Sequence, residues 1–247
     1  MPLSRPLTLA LIALLLSLGL SCCQSPTPPN QLSQDESRDG WVLLFDGKSL
    51  DGWHVYNMGK VPSVWSISGG EISCDPSAKN VEFGDLVTDN VYRNYQLRFE
   101  WKITKGGNSG VFINVQEDTA NATAWTTGPE YQLLDNDNAT DHNKGDMKRQ
   151  AGCVFGLSEL KNNAQPLPYG QWNQAMIEQM NGKIVFWLNG KISAEEDLNS
   201  NNWKERVALS SLGKFPRFGK ATSGKVALQN WAKGVSFRNI RIREISL

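Results

Sequence analysis

Glu130-Tyr131-Gln132 offers the first chemistry in this 247-residue sequence. Extended backbone puts residues two apart on one face, so a carboxylate and an amide stand together at 130 and 132, with the Tyr131 ring opposite. A lone carboxylate can remove a proton or accept hydrogen bonds from sugar hydroxyls. Hydrolysis of an ordinary glycoside uses two carboxylates, and this strand carries one. Glu130 is therefore the first candidate for a substrate-facing base, with a solvated glutamate on a sheet face as the plain alternative. Gln132 beside it is a candidate substrate contact.

The stretch from Asp135 to Asp146 (DNDNATDHNKGD) is rich in side-chain oxygen. Asp135, Asp137 and Asp141 have a spacing that can bind a hard divalent cation, although the glutamate that ends a full calcium loop is missing and such loops are commonly plain turns. No other cofactor is suggested. Asp135 is also a candidate sugar contact. His142, one of only two histidines, can exchange a proton near neutral pH. Lys148 and Arg149 can stabilise a developing anion or simply neutralise the aspartates. Asn108 and Ser109, at the end of the glycine-rich run from Lys105 to Gly110, can present an amide and a hydroxyl to sugar or serve the turn itself. Trp125, Tyr169 and Trp231 fall in loop-like contexts, where a ring can stack on the apolar C–H face of a pyranose. Trp53, Trp65, Trp101 and Trp187 follow strand alternation and are expected in the core, and His54 is expected to be structural.

The elements that must hold these residues are strands. From Gln96 to Ile103 (QLRFEWKI) the odd positions are apolar and the even ones polar, which predicts a strand with one buried face. Lys105 to Gly110 reads as a turn, and Val111 to Val115 as a strand whose Asn114 points to a wetted face. Asn181-Gly182 and Asn189-Gly190 are type I′ hairpin signals around KIVFWL, so three antiparallel strands should run in succession. Two more strands are expected from Gly224 to Gln229 and from Val235 to Ile242, with a bulge at Arg238-Asn239 where the alternation slips. With 22 Gly, 11 Pro and no strand–helix alternation, the chain should be all-β, a two-sheet antiparallel β-sandwich or jelly roll. Nine Trp, nine Phe and five Tyr supply its core. The 25 Lys+Arg balance 25 Asp+Glu, which excludes a nucleic-acid partner held by general electrostatics.

Residues 1–22 read as an export signal. Arg5 gives the positive start, the run to Leu20 is almost wholly apolar, and Leu20-Ser21-Cys22-Cys23 is similar to a lipobox, with Cys23 or Cys22 as the lipidated residue. The expectation is a bacterial cell-envelope protein, periplasmic or at the outer membrane, attached to membrane through lipid alone. Residues 23–40 have the composition of a solvated tether. The folded domain is expected over 41–247. Cys74 and Cys153 sit in apolar, strand-like settings and are expected to stay unpaired.

At this point the ordered blocks resemble a known family. Leu44-Phe45-Asp46-Gly47-Lys48-Ser49-Leu50-Asp51-Gly52-Trp53 is similar to the opening motif of the 3-keto-disaccharide hydrolase domain. Asn108-Ser109-Gly110-Val111-Phe112, the block from Gly128 to Asp135, Gln171-Trp172-Asn173 and Ala227-Leu228-Gln229 follow in order. The resemblance implies a concanavalin-like jelly roll, a carbohydrate partner, and action on an oxidised glucoside or disaccharide, and it adds Gln229 to the candidate sugar contacts. A ketone at C3 acidifies the neighbouring C2–H, so one base can start elimination of the C1 substituent and water can then add back. Family members often carry His-Gly where this sequence has Asn230-Trp231, which exchanges a proton donor for a stacking ring. A non-catalytic glycan-binding lipoprotein and a conventional glycosidase on the same fold are the alternatives.

Overall fold

The computed structural model describes residues 27–140 and 145–246. Its strands are β1 (Val42–Leu43), β2 (Trp53–Val55), β3 (Trp65–Ser68), β4 (Glu71–Cys74), β5 (Leu86–Thr88), β6 (Tyr95–Ile103), β7 (Asn108–Val115), β8 (Glu130–Leu134), β9 (Asn173–Met180), β10 (Lys183–Leu188), β11 (Lys191–Asp197), β12 (Lys225–Leu228) and β13 (Val235–Glu244). Helices α1 (Gln34–Arg38) and α2 (Asn201–Leu209) are short. One sheet runs β11-β10-β9-β6-β13-β4-β3, with β1 also paired to β13, and the other runs β2-β5-β12-β7-β8. The neighbours pair antiparallel. The molecule is an all-β sandwich of jelly-roll type, as the alternation demanded. Among the described residues no helix is long and apolar enough to cross a membrane.

The strand at 96–103 forms with the expected face: Leu97, Phe99, Trp101 and Ile103 are buried and pack against the facing sheet's Val111, Ile113, Tyr131 and Leu133. Both hairpins form through left-handed residues at Asn181-Gly182 and Asn189-Gly190, where only Gly and Asn adopt positive φ at low cost. The bulge near Asn239 is present, with Asn239 at φ 55° and the β13–β6 register shifting between Arg238 and Arg241.

Four local expectations are corrected. The turn before β7 ends sooner, so Asn108 and Ser109 lie in the strand and alternate faces. Asn114 is buried rather than wetted. It takes φ 57°, and its amide donates to Gln179 Oε1 of the other sheet at 2.5 Å, a polar strut between the layers. Trp187 is half-buried on the outer side of its sheet, because Ile184, Phe186 and Leu188 take the inward positions of β10. The tether is shorter than composition implied. Ser33 and Glu36 form a capping box on α1, Glu36 pairs with Arg241, and Asn30 is buried against Asn239 and Gly70. Cys74 and Cys153 are buried and free, as expected. His54 is held between Asp89 and Glu117, a structural setting.

Candidate active site

The five-stranded sheet is buried on both faces, and this is what builds a site. Its inner face joins the main core, while Val87, Phe112 and Ala227 face outward into a second apolar cluster with Tyr56, Val115 and Ala124. The left-handed Asn114 shifts the alternation of β7, which turns Val115 outward to join that cluster. Loop residues 124–126 and the segment after α2 cover this face without closing it. The space left is a cavity of about 220 Å³.

The floor of the cavity follows from strand register. Gly110 lies opposite Gln132, and Gln229 N donates to Gly110 O at 2.9 Å. Leu228 pairs with Leu86, so Asp85, one residue before Leu86, falls on the same outward face as Gln229. The polar positions Asp85, Gln229 and Gln132 thus cross the sheet in one row, with Gly110 as its gap. Glu130, opposite Phe112, fills that gap with its carboxylate: a Cβ at residue 110 would stand 2.2 Å from Glu130 Oε1. Glycine at 110 is what lets the carboxyl lie flat over the strand. The Gln132 amide, turned so that its nitrogen meets acceptors, donates to Glu130 Oε1 at 2.9 Å and to Ser109 O at 3.2 Å. Asn108 lies 3.1 Å from the other end of that amide.

The electrostatics favour a proton-transfer group. Burial pushes the Glu130 carboxyl well above the usual carboxylate range, and the Asp85 charge pushes it further the same way. Asp85 itself is raised to about 6 by burial, partly offset by hydrogen bonds from the backbone of Asn230 and Ala124. Cys153 lies close enough for Glu130 to add to the upward push that burial gives its thiol, so it is an inert neighbour and not a nucleophile.

The candidate residues separate clearly on this frame. Asn108, Glu130, Gln132, Gln229, Trp125 and Trp231 all line the cavity, and Trp231 stands 61% exposed at its mouth. Ser109 faces the core, fully buried, where its hydroxyl donates to Gln229 O at 2.8 Å; it supports Gln229 and is turned away from the cavity. Asp135 is buried and saturated by Gly106 N at 2.7 Å and by both nitrogens of Asn138, so it ties loops together instead of meeting sugar. Asp137 is exposed. Lys148 is exposed, and Arg149 pairs with Asp146 at 3.1 Å. Tyr169 lines a different groove with Lys102 and Ser73. Asp141 and His142 lie outside the described residues, as do Cys22 and Cys23. Among the described residues no group of three or more His, Cys, Asp and Glu is placed to hold a metal ion.

Several lining residues went unnoticed in the sequence. Phe155, Leu212, Lys214, Phe215 and Phe218 complete the wall. Large apolar side chains inside the Gly- and Pro-containing run SLGKFPRF were the available signal, since a loop seldom carries three without something to cover. Asp85 gave no signal beyond its place one residue before a strand.

A family model for the 3-keto-alpha-glucoside-1,2-lyase-like domain matches residues 40–243. The chain belongs to this family. A 3-keto-disaccharide hydrolase of Bacteroides thetaiotaomicron is 34% identical over 229 residues, covering 83% of this chain and 78% of that protein. A Parabacteroides distasonis protein assigned provisionally as a glycosyl hydrolase superposes with a TM-score of 0.80 at 32% identity, covering 89% of this chain and all of its own. A second such protein of that organism shares the fold at 24% identity and a TM-score of 0.62, over 83% of this chain and 99% of its own. The chain is accordingly a glycosidase-type enzyme.

Proposed function

We propose that the protein cleaves 3-keto-glycosides, with Glu130 as the base. The observation that carries the reading is the buried Glu130 carboxylate, seated over Gly110 in a cavity lined by amides and rings. The ionised Glu130 takes the proton from C2, the C2–H electron pair forms the enolate of the C3 ketone, and collapse of the enolate breaks the C1–O bond. The leaving oxygen takes a proton, and water then adds its hydroxyl to C1 and a proton to C2, so that the sum is hydrolysis. An upward-shifted carboxyl suits this role, because a stronger base is matched better to a weak carbon acid. The amides of Asn108, Gln132 and Gln229 are suited to bind hydroxyls, and the exposed Trp231 ring to stack on a pyranose. Gln229 Oε1 is buried with no partner, an acceptor that a sugar hydroxyl would satisfy.

The deciding experiment incubates the purified protein with a 3-keto disaccharide and its unoxidised parent, with and without chelator. Cleavage of the keto sugar alone is expected. Glu130→Gln keeps size and hydrogen bonding and should lower the rate by about 10²-fold or more. Equal cleavage of the parent, or an unimpaired variant, refutes the reading. Loss of activity with chelator alone would bring in a cation and direct attention to Asp141 and His142.

The same proposal extends to location. The apolar leader ending at Cys22-Cys23 supports a lipid-anchored protein of the bacterial envelope. Mass spectrometry of the native N-terminus is the test, and a mature terminus without lipid on either cysteine rejects it.

A further inference from the structure

The cavity divides by the origin of its residues. The strand floor contributes Asn108, Glu130, Gln132 and Gln229, enough polar groups to serve one sugar ring. The covering segments contribute carbon: Trp125 from residues 124–126, and Leu212, Phe215 and Phe218 from the run after α2. Trp125 and Phe215 meet edge to face, with centroids 4.7 Å apart and planes at 89°, so they form one aromatic wall. Phe112, opposite Glu130 in register, continues the carbon surface up to the reacting carboxylate. The polar side chains this wall adds are Ser211 and Lys214, both exposed, and the Lys214 ammonium lies 5.0 Å above the Phe215 ring.

A second sugar beside the first can lay one C–H face on these rings, but the wall offers its remaining hydroxyls only Ser211 and Lys214 at the exposed rim, so most of them lose water without replacement. A flat apolar group would lose nothing and would gain ring contacts. We infer that the leaving group this site is shaped for is aromatic, so that the preferred substrates are 3-keto-glucosides of aryl-bearing alcohols rather than 3-keto-disaccharides. The inference rests on the keto-glycoside reading above and specifies its substrate.

The experiment compares benzyl 3-ketoglucoside with a 3-keto glucosyl-glucose disaccharide of the same anomeric configuration, on the protein and on Phe215→Ala. Benzyl alcohol is the poorer leaving group, so a preference for it reflects binding and not bond strength. The expected kcat/KM is at least tenfold higher for the benzyl substrate, and Phe215→Ala should abolish that advantage by lowering the benzyl value at least tenfold more than the disaccharide value. Phe215→Leu, which keeps apolar bulk, should retain part of the preference and guards against a folding defect. A disaccharide cleaved as well as the benzyl compound, or an equal loss on both in Phe215→Ala, overturns the inference. Calorimetric binding of the unoxidised benzyl glucoside and disaccharide separates the two proposals. If neither keto substrate is cleaved, the catalytic reading fails, and tenfold tighter benzyl binding that depends on Phe215 still upholds the aromatic subsite, whereas equal binding overturns it.

Discussion

Replacing Asp85 with asparagine should make the protein more stable at neutral pH, and the size of the effect follows from burial. The Asp85 carboxyl is raised from 3.8 to about 6, so the native chain holds this proton more tightly than the unfolded chain does. The stabilisation from that proton is complete below about pH 4 and is lost as pH rises to about 6 and beyond. The span corresponds to about 3 kcal/mol. The asparagine side chain would keep an oxygen to accept from Asn230 N, a bond of 3.0 Å in the native chain, and it never ionises. Asp85→Asn and the parent should therefore unfold alike at pH 4, and at pH 7.5 the variant should gain up to about 3 kcal/mol, or about 6–12 °C in Tm for a domain of this size. Urea unfolding at the two pH values measures it. Glu130 adds a fall in stability of the same sign to both chains, and a smaller one to the variant, which lacks the neighbouring charge. Activity should move as well: with that charge gone Glu130 ionises at lower pH, so the acid limb of kcat/KM shifts to lower pH. Parallel stability curves, or a variant less stable at pH 7.5, would refute the placement of Asp85 as a buried carboxylate beside the site.

Three further substitutions probe the same construction. Gly110→Ala introduces a Cβ 2.2 Å from Glu130 Oε1, so the carboxylate must move; kcat is expected to fall about 10²-fold while the far-UV spectrum is retained. Trp231→Ala removes an exposed ring without touching the core, and should raise KM about three- to tenfold with kcat little changed, measured by steady-state kinetics on a keto-glycoside. Asn30→Ala deletes the side-chain bonds to Gly70 O and Asn239 N, which should cost about 1–3 kcal/mol in urea unfolding and expose residues 30–40 to protease.

The sequence made the scaffold legible wherever one face was dry and the other wet. β6, the two Asn-Gly hairpins and the β13 bulge all announce themselves through period-two alternation or through residues that tolerate positive φ. The site strands are harder because they are buried on both faces. β8 is covered throughout, so the alternation that would have told Glu130 from Tyr131 by exposure is absent there. Face can still be assigned by counting in twos, which places Glu130 and Gln132 together. Counting does not reveal which neighbouring strand brings another carboxylate. Asp85 meets the site through β5–β12–β7 register, a fact of pairing between segments more than a hundred residues apart.

That double burial also explains why the site's chemistry and its stability oppose each other. A sheet with one wet face would leave Glu130 hydrated and a weak base. The cluster of Val87, Phe112 and Ala227, covered by loops, removes that water and raises the carboxyl, and Asp85 raises it again at a cost to stability above about pH 6. Strand backbone holds the result in place: Glu130, Gln132 and Gln229 sit on hydrogen-bonded strands or one residue beyond, not on mobile loops. The loops are left to supply the aromatic wall. Substitutions in the 211–218 segment should therefore alter which aglycone is accepted, while substitutions in β7 and β8 should alter whether any bond is broken at all.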